Sequence, residues 1–173
     1  MRFLVRACAP VAVLALAACS SGTSTPSPAS PGGAAPLTLT DGWCKSTDSM
    51  PAMSKEMTGC FGTLVNTTGK ELKISGGSTD AAMMVELHET VKNASGQMQM
   101  QPVPDGFTIP AGGSFALKPG ANHVMLMKLK GDLKTGDKVT VTFDTSAGKG
   151  ALTWEIRAFP GAEESYVPSP SNS

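Results

Sequence analysis

The sequence predicts an all-β domain, an antiparallel β-sandwich of Greek-key style. Three observations predict it. Short apolar alternations recur at intervals near ten residues from Leu37 onward. They are broken by Gly, Asn, Pro and Asp clusters of the kind that make tight turns. No stretch shows sustained helical periodicity with caps at its ends. About nine strands separated by such turns are best buried as two packed sheets around one core.

The ends of the 173-residue chain are expected to stand outside that domain. Arg2 and Arg6 precede an apolar run from Ala9 to Ala18 that is too short to span a bilayer as a helix. Residues 1–18 therefore read as a secretory signal peptide. It closes on "LAAC", which resembles a bacterial lipobox with Cys19 as the lipidated residue. Residues 19–36, rich in Ser, Thr, Pro, Gly and Ala, bury too little to offset their ordering entropy and should form a flexible tether. Residues 162–173 have the same character and are expected as a disordered tail. The domain is then 37–161, anchored by lipid to a bacterial cell membrane and facing outside the cytoplasm.

The elements follow in order. Expected strands are "LTLTDGWC", "GCFGTLVN", "ELKISGG", "MMVELHETV", "QMQMQPV", "SFALK", "HVMLMKLK", "KVTVTFD" and "LTWEIRA". Turns are expected at "NTTGK", "NASGQ", "PAGG", "KPGAN" and "KTGDK". In "VELHETV", alternation turns Val85, Leu87 and Val91 inward and sends Glu86, His88 and Thr90 to the other face. In "HVMLMKL", Val124 and Leu126 share one face and His123, Met125 and Met127 the other. The short "NASGQ" turn makes a hairpin that returns Met98 or Met100 beside His88.

His88 and His123 are the two histidines of the chain, and each has methionine within reach. His123 and Met125, two residues apart on one strand, project together. Two imidazoles with two thioethers make a soft, low-charge donor set, which matches Cu(I) better than zinc or a hard cation. Such a site, shallow and at the surface, suits a carrier rather than an enzyme. No phosphate loop, paired-histidine helix or serine elbow is present. Glu86 and Glu89 beside His88 find no further nucleophile or base. Charge is balanced, with 14 Lys and Arg against 14 Asp and Glu and no basic run, which argues against nucleic acid as a partner.

The ordered motifs "VELHET", "PAGG", "LKPG" and "HVMLM" closely resemble the periplasmic PCuAC copper-chaperone family over residues 37 to 158. The resemblance implies a cupredoxin-like β-sandwich and the Cu(I) ligands His88, Met100, His123 and Met125. The family pattern is a histidine, ten residues, a methionine, twenty-one residues, then histidine-x-methionine. Here the two intervals are eleven and twenty-two. Both extra residues are expected in loops, near "NASGQ" and "VPDG". Met98, two residues before Met100, is the alternative ligand. The resemblance also implies a recipient, the copper subunit of cytochrome c oxidase at its dinuclear copper centre, or another copper chaperone. A copper-buffering lipoprotein and a blue-copper electron-transfer protein are the other readings.

"MPAMSKEM" gathers Met50, Met53 and Met57 between Cys44 and Cys60, as an auxiliary copper site or as packing. Met83, Met84 and Met127 are expected as packing residues. In an oxidising compartment Cys44 and Cys60 most simply form a disulfide. A thiolate copper site shared with the loop methionines is the alternative.

Overall fold

The structure is a computed structural model and describes residues 35–48, 56–160 and 165–166. Cys19, Met50 and Met53 lie outside them, as do the signal and most of the tether. All described residues belong to one compact unit, Gly32–Ser173.

The described residues contain strands and no helix. The strands are β1 (Leu37–Lys45), β2 (Met57–Asn66), β3 (Leu72–Ser78), β4 (Ala82–Lys92), β5 (Met98–Pro102), β6 (Phe107–Ile109), β7 (Ser114–Leu117), β8 (His123–Leu129), β9 (Lys138–Thr145), β10 (Gly148–Arg157) and β11 (Ser165–Tyr166). Each of the nine expected strands has its counterpart. The additions are β6, three residues whose short "FTI" carries too little pattern to be seen alone, and β11, which falls inside the segment expected as a disordered tail.

Hydrogen bonding runs continuously through the order β11-β5-β4-β8-β2-β1-β10-β9-β3-β6, with β7 added to β2. A further pairing of β3 with β4, at Gly77↔Val85, closes the path into a barrel-like ring. Closure removes sheet edges that two separate sheets would leave open. The sheet is not wholly antiparallel. β1 runs parallel to β10 and β11 parallel to β5. Parallel neighbours need a long crossover, and almost the whole domain lies between β1 and β10, so local turn signals could not reveal the pair.

The interior follows from alternation. β9 and β10 bury every second residue, placing Val139, Val141, Phe143, Leu152, Trp154 and Ile156 in the core. Trp154 is fully buried, and its Nε1 donates to the Phe61 carbonyl at 2.8 Å, so its polar edge is satisfied. In β1 the "DG" pair, a turn signal elsewhere, makes a bulge. The register shifts between Thr40 and Trp43, with Asp41 at φ 52°. The shift sets Trp43 opposite Phe61, with ring centroids 4.7 Å apart, and Cys44 opposite Cys60. The two sulfurs are bonded. Joined to each other in the core, they present no thiolate to a metal.

β8 departs from simple alternation because both of its faces are covered, and on β4 the second face is covered at His88. Val85, Leu87, Val124 and Leu126 face the main core. On the opposite face Met100, Met125 and Met127 form a second packed cluster, with Met57 against it.

Candidate metal centre

Three neighbouring strands build the site on this second face. β4 pairs with β8 so that His88 stands directly opposite His123 and Glu86 opposite Met125. The two imidazole centroids are 5.6 Å apart, edge to face. β5 returns along the other side of β4, placing Pro102 opposite His88 and Met100 opposite Thr90. Met100 belongs to the same cluster as Met125 and Met127, so its thioether lies on this face. Phe61 of β2 flanks the pair, 6.0 Å from the His123 ring.

The two loops where the extra residues are expected are well-made turns. In the first, Gly96 takes φ 80° and its amide donates to the Asn93 carbonyl, while Asn93 Oδ1 accepts from the amides of Ser95 and Gln97. In the second, the Gly106 amide donates to Val103 O at φ 73°. A Cβ on Gly106 would lie 1.9 Å from the Ile74 carbonyl, so only glycine fits there. Both turns lie outside the pairing of β4 with β5 and β8.

The expectation of a shallow surface site is corrected. His88 is 0% exposed, His123 2%, Met125 3% and Met100 8%. Alternation assigns a side chain to a face but does not say whether that face is covered. Here the methionine cluster, with Phe61 beside it, covers it.

Hydrogen bonds set the state of each ring. His88 Nε2 donates to Glu86 Oε2 at 2.7 Å, and His123 Nδ1 donates to the Ala121 carbonyl at 2.9 Å. A carbonyl only accepts, and so does an ionised carboxylate, so these bonds fix the tautomers. In the neutral rings the lone pair is then on Nδ1 of His88 and on Nε2 of His123, the pattern of a metal-binding imidazole oriented by its other nitrogen. Burial lowers the His88 pKa from its ordinary value of 6.5, against the opposing pull of the Glu86 hydrogen bond and charge. A buried imidazole that stays neutral has no proton to lose before it binds a cation. Among the described residues no three His, Cys, Asp or Glu side chains gather at one point. Beside the histidine pair stand neutral sulfurs, a donor set for a soft, low-charge ion.

His88, Met100, His123 and Met125 are therefore brought to one face. Met98 is not in the cluster. It pairs with Lys92 at the far end of the hairpin and is 38% exposed. Met57 packs against the cluster from β2. Met83 and Met84, expected as packing residues, are exposed, at 69% and 38%, whereas Met127 is buried. Glu89 faces away from His88 and accepts from Gln101 Nε2 at 3.0 Å. Sequence reasoning missed Phe61 and the Ala121 carbonyl. The first comes from a distant strand and the second is backbone, which leaves no mark in residue type.

The LpqE-like family model matches residues 37–156. Lxx21020 of Leifsonia xyli subsp. xyli is 39% identical over 116 residues, 66% of this chain and 69% of its own. RP573 of Rickettsia prowazekii is 36% identical over 81 residues, 47% and 44% of the two chains. Among solved structures, CuI-DR1885 from Deinococcus radiodurans superposes with a TM-score of 0.52 at 29% identity, covering 70% of this chain and 80% of that one. The copper-bound PCuAC domain from PmoF2 reaches 0.55 at 16% identity, covering 72% and 94%, a likeness of fold.

Proposed function

From the membership of this chain in the LpqE-like lipoprotein family, we propose that it is a lipid-anchored, extracytoplasmic Cu(I) metallochaperone, a carrier rather than an enzyme. The bound ion is Cu(I), as in the 29% identical DR1885. Its ligands are His88, Met100, His123 and Met125. The observation that carries this reading is the directly opposed pair His88 and His123, buried against a thioether cluster that contains Met100 and Met125. Met100 is preferred to Met98 because it is 8% exposed and inside that cluster, while Met98 lies beyond it. The closed ring of strands is read as a flattened cupredoxin-like Greek-key sandwich.

The recipient is the dinuclear copper centre of cytochrome c oxidase, or a further copper chaperone that supplies it. Neutral donors suit delivery, because the thioethers need no protonation when they release the ion. A blue-copper site would need a thiolate among the histidines. Cys60 instead pairs with Val124 on the core side and is bonded to Cys44.

The test is a Cu(I) titration against a calibrated competing chelator. Parent protein and Met98→Leu should bind one ion at the histidine pair with similar affinity. Met100→Leu and His123→Ala should lose at least about tenfold, about 1.4 kcal/mol. Unchanged affinity in both would sink the ligand assignment. Deletion of the gene at limiting copper should lower oxidase assembly, and normal assembly would remove the oxidase as recipient.

A further inference from the structure

The same face carries three thioethers that the proposed ligand set leaves unused. Met57 of β2 stands directly opposite Met127 of β8, and Met84 of β4 stands opposite Met127 from the other side. The three form one row across three strands. Directly opposed residues of antiparallel strands project to the same face with Cβ atoms about 4.5–5.5 Å apart. Methionine is unbranched, with three rotatable bonds. Sulfurs from the two outer positions can therefore meet above the central one.

The row adjoins the proposed ligands. One step along each strand pair lies Met125, with Glu86 and Gly59 on either side. Met127 and Met125 share a cluster, and Met57 packs on it. Exposure rises outward from the central Met127, at 6%, to Met84, at 38%. The row thus reaches from buried sulfur at the cluster to water.

Packing alone accounts poorly for this choice of residue. Half-exposed strand positions ordinarily take Val, Ile, Thr or aromatic side chains. Yet the large apolar side chains left exposed among the described residues are Met83, Met84 and Met98. We propose that Met57, Met84 and Met127 form a second, all-thioether site for a soft monovalent cation, through which Cu(I) passes between solvent and the histidine pair. The passage rests on the function proposed above, whereas binding at the row does not. Three neutral sulfurs hold Cu(I) or Ag(I) without losing a proton. Lacking imidazole, this site fills after the first.

The experiment is a titration of the full chain with Ag(I), and with Cu(I) under reductant, followed by NMR of the methionine methyl groups and histidine rings. The first equivalent should move the Met100 and Met125 methyls and both rings. The second should move the methyls of Met57, Met84 and Met127. Met84→Leu, at an exposed position that tolerates the change, should weaken the second event at least tenfold and leave the first in place. Met83→Leu, on the same strand, should alter neither. A first event with no second, or a second that Met84→Leu leaves unchanged, overturns the thioether site alone. Shifts at Met57, Met84 and Met127 with no ring response at any stage of the titration would instead overturn the histidine assignment.

Discussion

His88 is an imidazole held neutral in a buried place, and that has a consequence for stability. Its folded pKa lies below 6.5 because burial disfavours the charged ring. As pH falls below about 6.5 the unfolded chain takes up the proton first. The stability this group contributes is therefore complete above that pH and declines as pH drops toward the folded value, by at most about 1.4 kcal/mol per pH unit. Urea unfolding of the metal-free protein between pH 7.5 and pH 5 should show the decline, and His88→Gln should flatten it. A parent curve as flat as the variant's would refute the assignment. Glu86, bonded to His88 Nε2, orients the ring from outside the donor set. Glu86→Ala should weaken Cu(I) binding about 10–100-fold, measured by chelator competition. An unchanged affinity would show that packing alone orients the ring.

At the scale of the element, β4 and β8 do two jobs. One face of each builds the main core and the other carries the histidines. The alternation in "VELHETV" and "HVMLMKL" made the division of faces legible, because strand periodicity is a property of the local backbone. β1 and β2 show a different economy. The Asp41 bulge shifts register so that Cys44 meets Cys60, and their bond ties the two strands on the side away from the methionine cluster. Replacing both cysteines by serine should lower stability by about 3 kcal/mol, as expected for opening a loop of about fifteen residues. Cu(I) affinity of the folded variant should stay within twofold of the parent. A large loss of affinity would revive the thiolate site.

For the whole molecule, the ring of strands closes through its narrowest seam. β9 and β10 pair continuously from Gly148↔Thr145 to Glu155↔Lys138, whereas β3 meets β4 at Gly77↔Val85. Local opening begins where few backbone bonds and contacts must break. Hydrogen exchange should be fastest among the paired strands at the β3–β4 seam and slowest in β9 and β10. Equal protection would mean that side-chain packing, rather than pairing, holds the seam. The site sits on β4, one side of which is this seam, while its other neighbours β5 and β8 are firmly paired along their length. Cu(I) loading should therefore raise protection in β5 and β8 more than in β9, read by the same exchange experiment.

By itself the sequence determined the strands, their turns, the faces of β4 and β8, and the grouping of His88 with His123 and the methionines. Each depends on neighbours a few residues apart, on a period of two, or on an ordered set of motifs. Only the tertiary structure decided that the sheet closes, that β1 lies parallel to β10, and that the site is covered. Those outcomes depend on which distant strands meet. Met57 reaches Met127 through the β2–β8 pairing, and Phe61 reaches His123 from the same strand. Burial of the histidines is a property of the assembled sheet, because it takes β4, β5 and β8 side by side, with Phe61 of β2, to cover them.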